Sequence, residues 1–299
     1  MSSLVWDVSP ILADFGMIKL RYYSLLFALS VFIGFQICVS IISREKSKLD
    51  ADKLFLYIFF GLIIGARLGH VLFYNPSWYL SNPVKIFKVW EGGLASHGAF
   101  IGISVSILLF CRNYRFPVRY VLDLIFTVLG ICFLVRIGNF FNSEIIGAPA
   151  DVPWAVIFTS VDNIPRHPAQ LYEAAGYLLT LIIVYSMYRF FNVRPGSLGL
   201  FRTSLLLAFS TRFIVEFFKE NQVNFESTLP INMGQILSIP FILFSLYLFF
   251  YKPNPLPENI FYSEQELKKL ESDQKKENLN NTEKNIANSN KKKPSKKKR

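Results

Sequence analysis

The chain has 299 residues, 52% of them apolar and 16% aromatic but only 18% charged, and a mean hydropathy of +0.34. Soluble domains carry about 25% charged residues, so an ordinary soluble protein is excluded, and the apolar content excludes disorder for most of the length. The net charge of +11 includes 13 Lys and Arg against 7 Asp and Glu in residues 252–299 alone, so about half the excess lies in a polar tail and no nucleic-acid partner is expected.

Residues 1–18 contain Asp7 and Asp14 and lack a basic start, so no cleavable leader is expected. A membrane-spanning helix needs about 20 mostly apolar residues. Seven stretches qualify, in chain order 22–42, 54–74, 92–111, 118–141, 169–188, 198–218 and 231–251. They are too long for strands and lack a period of two. The expected fold is therefore an all-α polytopic membrane protein of seven transmembrane helices. Gly61, Gly65 and Gly69 in the second stretch, and Gly98 and Gly102 in the third, suit close helix packing.

Lys and Arg cluster in the loops after stretches one, three and five and after stretch seven (Arg44, Lys46, Lys48, Arg112, Arg115, Arg189, Arg194 and the tail). The positive-inside rule places these regions in the cytoplasm, with the N-terminus outside and the C-terminus inside. The connection near 142–168 is long enough for a small external subdomain. The tail from 252 to 299, rich in Lys and Pro, reads as a solvated, disordered cytoplasmic extension. The three cysteines, Cys38, Cys111 and Cys132, lie in apolar runs and form neither a disulfide framework nor a metal-ligand cluster.

Charges inside a bilayer are expensive and are functional candidates by default. At a rise of about 1.5 Å per residue, Tyr23, Arg67, His97, Arg136, Gln170, Glu173, Arg212 and Gln235 fall at one level, in the outer half. Arg119, Asp123 and Arg202 fall toward the inner ends, where snorkelling or local pairing accounts for them. Arg212 and Glu216, spaced i,i+4, can pair with each other. Arg67 and Arg136 have no neighbouring acid in their own stretch, and guanidinium binds phosphate with bidentate geometry. A lipid phosphate in a cavity is the expected partner. Residues 136–147 are the densest polar run, with Arg136 and Asn139 one turn apart. Arginines in a cavity would also suit a transporter of anionic solutes, and a lipid-binding scaffold is a third class. Against these, no polar path continues inward, and a scaffold needs no histidine or acids beside its arginines.

The run 136–147 reads R-x-G-N-F-x-N-x-E-x-x-G. With residues 65–69, 90–98, 166–173, 212–216 and 233–238 in this order, the chain resembles the bacterial prolipoprotein diacylglyceryl transferases over about residues 1–251. Val135, Ala99 and Ala208 depart from that pattern. The resemblance implies transfer of the diacylglyceryl group of phosphatidylglycerol to the thiol of a lipobox cysteine in a preprolipoprotein signal peptide, with glycerol 1-phosphate released. It implies a multi-pass protein of the bacterial inner membrane, in contact with membrane lipid, its active site toward the outer leaflet, with no metal or other cofactor. By the same resemblance, Arg136, Asn139 and Gly147 hold the headgroup, and Arg212, oriented by Glu216, stabilises the leaving phosphate. His97 deprotonates the thiol or positions the lipid, and Glu144 is an alternative base. Tyr23, Arg67, Gln170 and Glu173 are further substrate-binding candidates.

Overall fold

The computed structural model describes residues 4–16, 19–74, 76–220, 232–270 and 272–273. Each of the seven apolar stretches is helical. They form α1 (Tyr22–Arg44), α2 (Ala51–Phe73), α5 (Ser96–Tyr114), α6 with α7 (Val118–Thr127 and Phe133–Phe141), α8 (Ala169–Phe190), α9 (Gly199–Val215) and α10 (Met233–Phe250). Two short helices, α3 (Pro76–Ser81) and α4 (Val84–Phe87), lie between α2 and α5. By length and composition α1, α2, α8 and α10 can cross a bilayer, and α6 with α7 makes a fifth if counted as one broken span. Of the other two, α9 is shorter, at 17 residues, and α5 has polar residues at both ends.

The all-α expectation needs one addition, because short strands occur at one end of the helices. β1 (Leu4–Trp6) pairs in parallel with β4 (Val156–Phe158), which pairs antiparallel with β5 (Pro165–Arg166). β2 (Ile11–Asp14) and β3 (Lys19–Arg21) form an antiparallel hairpin leading into α1. The connection 142–168 thus builds its sheet with the N-terminal residues. Phe140, Val156 and Phe158 form the buried cluster beneath that sheet, with Trp6 and Ile146 packed on it.

Glycines fix the closest helix contacts. A Cβ at Gly65 would strike Gly98 and Gly102, and one at Gly61 would strike Gly102 and Ser106. The backbones of α2 and α5 touch because these side chains are missing. Gly130 plays the same part at the break between α6 and α7, where its face lies on the backbone of α8 at Tyr177 and Leu181. The chain there tightens into a 3₁₀ turn, Leu129–Cys132, and bends by 41°. Arg136 and Asn139 follow on α7.

Two of the charges assigned to inner ends have structural partners. Asp123 is fully buried and accepts hydrogen bonds from the backbone N–H groups of Gly196, Leu198 and Phe201, each at 2.7 Å. It caps the first turn of α9 from a neighbouring helix, satisfying donors that have no intrahelical partner. Arg202 donates to the Leu248 carbonyl and lies over the Phe249 ring.

Residues 252–263 pack against the helices, where the sequence suggested a disordered extension. Ile260 is buried in the main hydrophobic cluster, and backbone hydrogen bonds join Lys48 to Ile260 and Tyr262 to Lys46, both at 2.8 Å. Arg119 donates to the Pro255 carbonyl. The sequence reading missed this because a few apolar residues sit among prolines and charges. The rest of the tail, 274–299, lies outside the described residues.

Candidate active site

A cavity of about 790 Å³ opens among α1, α5, α7, α8, α9 and α10. Its polar lining comes from Tyr23, His97, Arg136, Asn139, Tyr177 and Arg212. Tyr23, His97, Arg136 and Arg212, far apart in sequence, line one cavity, whereas Arg67, Gln170, Glu173 and Gln235, expected at the same depth, are not among its lining residues. An apolar cleft of about 360 Å³ along α1 and α2 shares Phe27, Leu129, Cys132 and Val135 with this cavity. The two cavities thus adjoin at these four side chains, and the larger one sets a few polar groups in a mostly apolar wall.

Behind the wall stands a buried charge cluster. Glu173 is fully buried in the second turn of α8. One of its oxygens lies 2.6 Å from Arg136 Nε, and the other accepts from Lys219 Nζ at 2.9 Å. Lys219 also donates to Glu216 Oε2 at 3.0 Å. The Glu216 carboxylate rests against Gly234 of α10, where a Cβ would occupy the same space. These two acids and two bases balance. Buried charges persist when paired in this way.

Arg212 is outside that balance. Among the described residues it has neither an ion pair nor a hydrogen bond, and it faces the cavity. The expected Arg212–Glu216 pair is not formed. The helix tightens into a 3₁₀ turn at Glu216–Phe218, and in such a turn positions i and i+3 eclipse. Glu216 is therefore matched with Lys219 instead. Sequence reasoning missed Lys219 because it stands at the edge of the apolar stretch, where a lysine reads as a loop boundary. The signal was its i,i+3 spacing from Glu216.

The remaining candidates divide. Asn139 accepts from Arg136 Nη1 at 3.1 Å and donates to Glu144 Oε1 at 2.8 Å. Glu144 is exposed, also accepts from Asn142, and does not line the cavity. Gln170 is fully buried. Its Nε2 donates to the Glu144 carbonyl at 2.8 Å, while its Oε1 has no partner. Gly147 lies behind the cavity in a backbone bridge to Lys219, and any Cβ there would strike His167. Gln235 completes a capping box with Asn232 at the start of α10.

Arg67 is not at the cavity, contrary to its predicted place. Its guanidinium donates to the carbonyls of Lys85, Ile86, Gly92 and Gly93, and it lies over the Tyr79 ring. It ties down the connection that carries α3 and α4. Depth along a helix does not say which way a side chain points, and here four carbonyls take the place of the expected anion.

Tyr177 was not among the expected residues. It lines the cavity, with its ring 5.9 Å from the Arg136 guanidinium carbon. Four residues after Glu173, it occupies the same face of α8. Beyond the cavity, Arg166 is buried and binds Asp162, Glu220 and the Gly147 carbonyl. Arg166 holds the Asp162 carboxyl below its usual range, and the two acids raise Arg166 in turn.

The family model for prolipoprotein diacylglyceryl transferase matches residues 10–251. The chain belongs to this family. A phosphatidylglycerol–prolipoprotein diacylglyceryl transferase of Tolumonas auensis is 43% identical over 252 residues, covering 82% of this chain and 96% of the relative. Proteins of the same name from Chloroherpeton thalassium and Bacteroides fragilis are 43% and 42% identical over 256 and 267 residues. Each alignment covers 83% of this chain, and 94% and 95% of the respective relatives. The chain is thus a transferase of lipoprotein biosynthesis, and its apolar helices suit a multi-pass membrane protein.

Proposed function

We propose that this transferase moves the diacylglyceryl group of phosphatidylglycerol to the thiol of the lipobox cysteine of a preprolipoprotein, releasing glycerol 1-phosphate. The observation that carries this reading is the unpaired Arg212 in a cavity shared with His97, Arg136 and Asn139 and adjoining an apolar cleft. A phospholipid has the matching parts, an anionic phosphate and long acyl chains. The named substrates of the relatives supply the same two partners.

The chemistry follows from those parts. The phosphate lies against Arg212 and the outward edge of Arg136, whose Nε is engaged by Glu173. Tyr23 and Asn139 complete the headgroup pocket, and the acyl chains enter the apolar cleft. The nucleophile must be a thiolate. Among the described residues His97 has no hydrogen-bond partner, and it lines the cavity, so it takes the thiol proton. Glu144 is the poorer base, because it lies outside the cavity lining and its Oε1 already accepts from Asn139 and Asn142. Sulfur attacks the terminal glycerol carbon, a C–S bond forms, and the C–O bond to phosphate breaks. The electron pair leaves with glycerol 1-phosphate, and Arg212 meets the charge as it develops. Gln170, Glu173, Glu216 and Gly147 support this pocket from outside it, while Arg67 anchors the connection that carries α3 and α4.

In this reading all seven helices cross the bacterial inner membrane. The N-terminus and the small sheet face outward, the C-terminus is cytoplasmic, and the cavity lies toward the outer leaflet. The test is to mix the detergent-purified protein with phosphatidylglycerol and a lipobox peptide. The peptide is expected to gain the mass of one diacylglyceryl group, and a Cys→Ser peptide none. Folded protein that yields no mass gain would overturn the reading.

A further inference from the structure

Arg212 and Glu216 stand one helical turn apart, a spacing at which arginine and glutamate ordinarily pair. Here they do not, and Arg212 faces the cavity without a partner. Three observations explain the separation. The backbone tightens at Glu216–Phe218, which brings Lys219 over Glu216. Lys219 Nζ lies 3.0 Å from Glu216 Oε2 and 2.9 Å from Glu173 Oε1, with its side chain only 4% exposed. Gly234 leaves room for the Glu216 carboxylate on the side of α10. The Lys219 backbone is also fixed, in a bridge to Gly147.

We propose that Lys219 is a positioning residue that keeps Arg212 free for a phosphate by holding Glu216 away from it. The inference rests on the function proposed above, which assigns the phosphate to Arg212. Without the ammonium group, Glu216 has one cation within a helical turn, and that cation is Arg212. The acid then competes with the substrate phosphate for the same guanidinium. Glu173 has no such choice, because Arg136 holds it at 2.6 Å. Lys219 therefore acts on phospholipid binding through the charge on Glu216.

The experiment compares the wild type with Lys219→Met, Lys219→Arg and the double variant Lys219→Met/Glu216→Gln. Each is assayed for transfer, for equilibrium binding of glycerol 1-phosphate, and for thermal stability in detergent. Lys219→Met is expected to raise KM for phosphatidylglycerol about tenfold or more and to weaken glycerol 1-phosphate binding in parallel. Its KM for the lipobox peptide stays unchanged. Lys219→Arg keeps the wild-type values. The double variant recovers most of the lost affinity, since coupled neighbours show interaction effects of roughly 2- to 160-fold. A merely structural lysine would lower the folded fraction and kcat while leaving KM alone. The proposal is overturned if Lys219→Met retains its KM, if the folded double variant binds no better than the single, or if the wild type binds no glycerol 1-phosphate. Absence of transfer with the binding pattern intact would instead refute the proposed reaction and leave the role of Lys219 standing.

Discussion

Arg136 and Arg212 line the same cavity, yet their replacement by alanine should have different consequences. Arg136 lies 2.6 Å from a fully buried Glu173. Removing it leaves that carboxylate with Lys219 alone, which must also satisfy Glu216. Breaking a buried pair by deleting one partner costs about 3–5 kcal/mol. Arg136→Ala should therefore lose stability as well as transfer. Arg212 has no internal partner among the described residues, so its deletion removes no ion pair or hydrogen bond from the fold. Arg212→Ala should change stability by less than about 1 kcal/mol. Its transfer rate should fall about 10²- to 10³-fold, the usual loss on removing one preorganised donor from a developing oxyanion. Thermal unfolding in detergent gives the first quantity, and initial rates normalised to folded protein give the second. If Arg212→Ala destabilised the protein as much as Arg136→Ala, or kept a near-normal rate, the division of labour argued here would be wrong.

Three other outcomes are expected. Asp123→Ala strands three buried N–H donors at the start of α9. It should cost about 3 kcal/mol or more, with the specific activity of the remaining folded protein preserved; an unshifted unfolding midpoint would contradict the capping role. Ile260→Ala should cost about 2–4 kcal/mol, as for other buried aliphatic truncations, because this residue is 3% exposed in the main cluster. A neutral result would mean that residues 252–263 do not pack as described. The Asp162 carboxyl titrates below its usual range because Arg166 holds it, so its contribution is complete above about pH 4, the ordinary aspartate value. It is lost as pH falls through the depressed value. The melting temperatures of wild type and Asp162→Asn should differ by a constant amount from pH 5 to 7 and converge in acid, whereas a gap that opened only above pH 6 would refute the assignment.

The helices were legible in the sequence because each lies in a stretch of about 20 mostly apolar residues, and the shared depth of His97, Arg136 and Arg212 put these three at the level where one cavity is lined by them. The break at residues 128–132 was not, since a 3₁₀ turn of apolar residues has the composition of a helix. The strands are two to four residues long, too short for a period to register. Arg67 was misplaced because a linear depth argument ignores carbonyls supplied by a distant connection. The pairing of Glu216 with Lys219 depends on a change in helix pitch, which i,i+4 reasoning assumes away. Asp123 was ascribed to snorkelling or local pairing, and only the packing of α6 on α9 shows that its partners are backbone donors.

In the proposed reaction Arg212 receives a phosphate that leaves as sulfur takes its place. The most direct measurement is a single turnover with phosphatidylglycerol and a lipobox peptide, counting lipidated peptide and glycerol 1-phosphate together. The two are expected to appear at the same rate and in a one-to-one ratio, both slowed to the same degree by Arg212→Ala. Glycerol 1-phosphate released without peptide lipidation, or lipidation that does not depend on Arg212, would contradict it.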